Sequence, residues 1–141
     1  MTPEECAERC AKILWERDNA TKAFGISLLE IAPGQAVMEL EVSGAHINGH
    51  KICHGGIIYA LADTAFSLAS NSYNQIAISY TSNITLIGPA KEGDVLVATA
   101  MEVGRYGSNG IFDVQITNQS GVIIAEYRGH SRTLAGKHFE E

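Results

Sequence analysis

The sequence predicts an α+β domain in which an antiparallel sheet of about six strands wraps around one long central helix. Three observations lead there. Residues 48–71, NGHKICHGGIIYALADTAFSLASN, pass from a polar, glycine-containing loop into an apolar segment long enough to be a central helix. Segments of strand length lie on both sides of it, the clearest with period-two alternation. Glycine, proline, asparagine and serine separate those segments at regular intervals, the punctuation of tight turns.

Taken in order, residues 3–19 predict a helix, with Cys6, Cys10, Ile13, Leu14 and Arg17 recurring at three- and four-residue spacing. Thr2 suits the N-cap, Pro3 the first helical position, and Glu4 and Glu5 the positive end of the dipole. The whole N-terminal helical region is expected to occupy residues 1–22, before a turn at Phe24 and Gly25. Residues 26–31 and 36–42 predict two short strands joined by a hairpin at Pro33 and Gly34. In the second, Val37, Glu39 and Glu41 alternate with Met38, Leu40 and Val42, so one side should be covered and the other wetter. After the helix, residues 75–87, 94–103, 110–118 and 122–134 predict four strands running as a meander. Residues 136–141 are expected to be a flexible tail.

Composition limits the function classes. The length of 141 residues fits one domain, 1–141, large enough to bury a core. A net charge of −6 argues against a general nucleic-acid binder. The longest apolar run is too short and interrupted to span a bilayer, so no membrane partner is expected. The first residues carry scattered charge without a signal-peptide core, which favours a cytoplasmic protein. Three cysteines form no disulfide framework.

The chemistry concentrates in the central helix. Ile57, Leu61, Ala65 and Leu68 form an apolar stripe for the concave side of the sheet. Gly56, Ala60, Asp63, Ser67 and Ser70 lie roughly opposite, a small-residue stripe with one carboxylate at its centre. A carboxylate in apolar surroundings is costly unless it is paired or used, which makes Asp63 the first candidate for a functional group. Gly55 and Gly56 open the helix, where unpaired N–H groups attract negative charge and could hold an oxyanion. Asn48 and His54 could add donors nearby.

Eight residues separate Gly55 from Asp63, roughly 12 Å along a helix at 1.5 Å per residue. Both groups would have to approach one carbonyl to about 3 Å. One chain can hardly do this, whereas two antiparallel helices in a dimer could.

Other readings of the same residues stand beside this one. Asp63 could merely cap or pair across an interface, His54 could only brace its loop, and Asn48–Gly49 is also plain turn chemistry. His46, His50 and His54 with Cys53 suggest zinc, but spacing by four gathers ligands only on a helix, and Asn48–Gly49 lies between them, so no metal is expected. Cys53 beside His54 could be a nucleophile, although sequence neighbours usually point apart.

Residues 48–71, with SYTSNITLIGPAKEGD and the closing YRGHSRTL, resemble the hotdog-fold acyl-CoA thioesterases, in their phenylacetic-acid-degradation (PaaI-type) branch. The resemblance implies hydrolysis of coenzyme A thioesters of small, often aromatic, acyl groups. Asp63 would be nucleophile or general base, and the Gly55 amide would polarise the carbonyl with Asn48 and His54 assisting. Ser79, or second Thr81, would position the water or the carboxylate. Both would share a strand face with Asn83 and Thr85. Gly56, Thr64 and Asn83 are further expected at the substrate, and Lys91, Arg105, Arg128 and Arg132 are the basic candidates for its phosphates. The resemblance also implies a homodimer with the site between subunits, assembled into a homotetramer. No cofactor is implied, coenzyme A being part of the substrate. A hydratase or dehydratase, with His50 or His54 paired to Asp63, and a non-catalytic acyl-CoA-binding protein are the alternatives.

Overall fold

The computed structural model describes residues 1–141. Its first helix, α1 (Pro3–Arg17), begins with a reciprocal cap: the Thr2 hydroxyl accepts from Glu5 N–H at 3.1 Å and the Glu5 carboxylate accepts from Thr2 N–H at 2.8 Å. The expected single helix over 3–19 stops at Arg17. Asp18 breaks it because its side chain caps a second helix, α2 (Asn19–Phe24), accepting from Thr21 N–H at 2.9 Å. Gly25 closes α2 in the left-handed region at φ 82°.

Strands β1 (Ile26–Ala32) and β2 (Gln35–Glu41) form the expected hairpin around Pro33 and Gly34. Ala36, Met38 and Leu40 are buried on one side of β2, continued by Val42. A loop with one 3-10 turn (Gly44–His46) then leads into α3 (Gly55–Ser70). Strands β3 (Ala77–Leu86), β4 (Val95–Tyr106), β5 (Asn109–Thr117) and β6 (Ile123–Thr133) complete one antiparallel sheet in the order β1-β2-β4-β5-β6-β3.

That order corrects the four-strand meander. Strands β4, β5 and β6 do follow one another, but β3 lies at the far edge beside β6, and β4 lies beside β2. The segment 87–94 is a crossover rather than a hairpin. It is tied down as it passes the start of the helix by Cys53 N–H to Ala90 O at 2.7 Å and by Gly93 N–H to Val42 O at 2.8 Å.

Helix α3 lies in the concavity of the sheet, and its buried surface is wider than one stripe. Leu61, Ala65 and Leu68 are buried as expected, Ile57 is half-buried, and Ile58, Ala62, Phe66 and Ala69 join the core. Ser70 is buried too, at the end of the small-residue stripe, where it lines the same cavity as Asp63 and Ser67. Phe66 packs edge-on to Phe112 at 5.7 Å and lies against Gly129, where a Cβ would come within 2.7 Å of its ring. Glycine at that point of β6 lets sheet and helix close on a large aromatic side chain, whose burial contributes roughly 2–3 kcal/mol.

The flexible tail expected for 136–141 is instead pinned. The buried Asn74 accepts from the N–H groups of His138 and Phe139 at 3.0 and 3.1 Å and donates to Phe139 O at 2.9 Å. Phe139 is buried beneath the Arg9 guanidinium, 4.2 Å from its ring centroid. No helix is long and apolar enough to cross a membrane.

Candidate active site

Asp63 stands half-buried on α3 with a single hydrogen-bond partner, the Tyr127 hydroxyl, which donates to Oδ1 at 2.9 Å. Burial pushes its carboxyl above the ordinary carboxylate range, and the Tyr127 hydrogen bond pulls it part of the way back. Burial and the neighbouring Asp63 charge push the Tyr127 hydroxyl far up, so it stays protonated and donates. The residue was legible in principle. Alternation along 122–134 sets Tyr127 on the same side as Ala125, Gly129 and Ser131, all buried, and a buried tyrosine hydroxyl needs a partner.

A cavity of about 280 Å³ opens beside the carboxylate, shared by Asp63, Phe66, Ser67 and Ser70 of the helix with Ser79 of β3. Ser79 and Thr81, expected on one strand face, are separated by a bulge at Tyr80. Ser79 pairs with Ser131, but Thr81 pairs with the next residue of β6, His130. The extra residue reverses the alternation. Ser79 therefore lies on the helix side with Ser82 and Ile84, while Thr81, Asn83 and Thr85 lie on the outer side opposite His130, Arg128 and Glu126. Of the two hydroxyl candidates only Ser79 shares the cavity with Asp63, and Asn83 is directed away from it.

The helix start is built around one open amide. His54 is the N-cap: its Nδ1 accepts from Gly56 N–H at 2.8 Å, and its carbonyl accepts from Ile57 N–H at 2.9 Å. The neutral imidazole then carries its proton on Nε2, which remains a donor. The N–H of Gly55 makes no hydrogen bond within the chain. Asn48 uses Oδ1 to accept from His50 and Ile52 N–H at 2.9 and 3.4 Å, bracing the loop and leaving its side-chain NH2 as a donor. Asp63 and this helix start belong to one helix, so the roughly 12 Å implied by helical rise separates them within a chain.

Several expected residues are committed elsewhere. The Thr64 hydroxyl donates to Ala60 O at 2.7 Å and lies 3.4 Å from that of Thr21, so it faces α2 rather than the Asp63 cavity. Arg128 is held by both oxygens of Asp113 at 2.7 and 2.9 Å. Arg105 pairs with Glu102 at 3.0 Å and stacks over Tyr73. Arg132 covers the ring of Tyr80 at 4.1 Å on the outer side of the sheet, and Lys91 is exposed on the crossover without a carboxylate partner. The four bases therefore form no single patch beside Asp63.

No three histidine, cysteine or acidic side chains converge as a metal site. His46 uses both ring nitrogens inside the fold, accepting from Ser43 N–H at 3.0 Å and donating to Phe24 O at 2.8 Å. Cys53 is buried, and burial pushes its thiol up to about 11, far from a thiolate at neutral pH. Cys53→Ala should accordingly keep thioester turnover within about threefold of wild type, since no thiolate chemistry is lost. An inactive but folded variant, measured by thiol release, would overturn the carboxylate reading of the site.

A family model described as the thioesterase superfamily matches residues 50–125, more than half of the chain. The acyl-coenzyme A thioesterase PaaI of Escherichia coli is 36% identical over 126 residues, covering 89% of this chain and 90% of that protein. The structure of the E. coli PaaI protein superposes with a TM-score of 0.94 at 34% identity, over 96% of this chain and 99% of that one. Human acyl-coenzyme A thioesterase 13 is 30% identical over 127 residues, 87% of this chain and 90% of that protein. A single helix cradled by a six-stranded antiparallel sheet is thus the hotdog fold, and the chain belongs to the thioesterase superfamily, on the side of its PaaI-like members.

Proposed function

We propose that the protein hydrolyses coenzyme A thioesters of small, aromatic, phenylacetyl-like acyl groups, with Asp63 as nucleophile or general base. The observation that carries this reading is the Asp63 carboxylate beside an open cavity, with Oδ1 occupied by Tyr127 and Oδ2 without a partner in the chain. Phe66 gives that cavity an aromatic wall, which supports a flat acyl group. The carboxylate attacks the acyl carbon, or takes a proton from the water that does. The carbonyl oxygen becomes an oxyanion and accepts from the open Gly55 N–H, assisted by the remaining donors of Asn48 and His54. If the carboxylate attacks, cleavage of the carbon–sulfur bond leaves an acyl–Asp63 anhydride, which water hydrolyses to the free acid while the departing thiolate takes a proton from water. If water attacks, the same cleavage gives the acid directly and Asp63 passes the abstracted proton to the thiolate.

The Gly55 amide in question is that of a second copy. The helical separation of Gly55 from Asp63 supports a homodimer with antiparallel α3 helices, each site built from both subunits. Strand β3 supports the same arrangement, being a ten-residue sheet edge that leaves Ile78, Tyr80 and Leu86 exposed. The outer side of the sheet, with Tyr80, Met101 and Val103 exposed, offers a second surface for pairing dimers into a tetramer. Lys91 and Arg132 are the bases without a carboxylate partner, Arg132 lying over the Tyr80 ring, and are the candidates to meet the phosphates of coenzyme A. A cytoplasmic setting agrees with the free cysteines.

Thiol release from a panel of acyl-CoAs tests the reading. Phenylacetyl- and benzoyl-CoA should be turned over at least tenfold faster than long aliphatic thioesters, which exceed the roughly 300 Å³ at the lower end of ordinary ligand pockets. Equal rates for all chain lengths would remove the aromatic assignment, and no thiol from any member would remove the thioesterase reading.

A further inference from the structure

The carboxylate of Asp63 has one protein partner, and that partner is itself immobilised. Tyr127 is 2% exposed, with its ring against Tyr59 at 5.7 Å and Phe66 at 5.8 Å. The Tyr59 hydroxyl is in turn tied to that of Ser82 on β3, which the bulge at Tyr80 turns to the helix side. A phenol has no freedom to move its oxygen except with its ring, so two aromatic neighbours fix the donor in space. Its hydrogen bond reaches Oδ1 alone. We propose that Tyr127 is the positioning residue of Asp63, its hydroxyl holding Oδ1 so that Oδ2 faces the thioester carbonyl or the attacking water.

This rests on the reading of Asp63 as the acting group. Tyr127 touches neither substrate nor reacting atom; it acts through the carboxylate. Its donor does two things at once. It selects one rotamer of the aspartate, and it favours the ionised form that attack or proton removal requires, against the burial that opposes it.

Tyr127→Phe keeps the ring and removes only the donor. With the best-hydrolysed acyl-CoA of the panel, kcat should fall about tenfold with KM within about twofold, the pattern of a lost charge-assisted hydrogen bond that orients a catalytic group. The acid limb of kcat/KM should move to higher pH, a change that a packing role would not produce. In an Asp63→Asn background the same substitution should cost nothing further. Incorporating 3-fluorotyrosine at position 127, which keeps the shape and strengthens the donor, should move the limb the other way and covers the case in which the phenylalanine variant fails to fold. An unmoved limb with both variants, or an equal loss in the Asp63→Asn background, would overturn the positioning role while an inactive Asp63→Ala enzyme leaves the site standing. An Asp63→Ala enzyme as active as wild type would instead overturn the site itself.

Discussion

Asp63→Ala should lower thioester turnover by at least ~10²-fold in a thiol-release assay, the size of effect that follows loss of a general base or a nucleophile. Little else near the carboxylate can substitute for it. The nearest hydroxyls are those of Tyr127, which is kept protonated by burial, and of Ser67, Ser70 and Ser79, none of which has a basic partner in the chain. His54, one of the two histidines considered for a dehydratase beside His50, has its Nδ1 committed to the Gly56 amide.

The same residue should carry a stability cost that the activity justifies. Burial raises the carboxyl of Asp63 in the folded protein above its ordinary value of 3.8. Below that value the group is protonated in both states and costs nothing. As pH rises through the raised folded value, ionisation is harder in the fold than in the unfolded chain, so stability is lost and stays lower at neutral pH and above. Asp63→Asn keeps an acceptor for Tyr127 and removes the charge. Its melting temperature should therefore exceed that of wild type at pH 8, with the difference closing as pH falls towards 4. A variant that is both inactive and more stable at pH 8 separates a functional carboxylate from a structural one, because a structural ion would show the opposite sign.

Gly55→Ala should be the second most damaging change, lowering kcat about 10²-fold, as expected when an oxyanion donor is blocked. The backbone itself has little objection to alanine there. Gly55 has no positive φ, and the added Cβ would meet only the tip of Leu86, whose Cδ1 lies 2.8 Å away at the end of an exposed, flexible side chain. A methyl at the mouth of the open amide nevertheless stands where the carbonyl must approach. The check is thiol release beside a thermal melt: a loss of turnover with Tm within a few degrees of wild type marks the amide as functional. Full activity in the alanine variant would exclude the Gly55 N–H from the reaction.

The sequence by itself determined whatever depends on neighbours along the chain. The Thr2 and Glu5 cap, the Pro33–Gly34 hairpin, the buried side of β2 and the position of Asp63 in an apolar helix each follow from residues a few places apart. Local spacing also placed Gly55 at the helix start, with the family resemblance naming its role. Where local rules failed, a competing local interaction or a long-range contact had won. Asp18 ended α1 because its side chain had a nearer use as a cap. Asn74 captured the last residues from 64 and 65 positions away, so a polar tail became an anchored one.

Only the tertiary structure decided strand order and which of the candidate residues stand beside Asp63. Strand β3 found its partner in β6, across two intervening strands, because sheet pairing is settled by how the sheet closes over the helix rather than by proximity in sequence. One extra residue at Tyr80 then chose between Ser79 and Thr81, since a bulge reverses a period-two face and leaves no mark in composition. Tyr127 met Asp63 across a sequence separation of 64 for the same reason. A hydrogen bond between a helix and a strand exists only once the sheet has folded over that helix, and that closure turned a lone carboxylate into an oriented one.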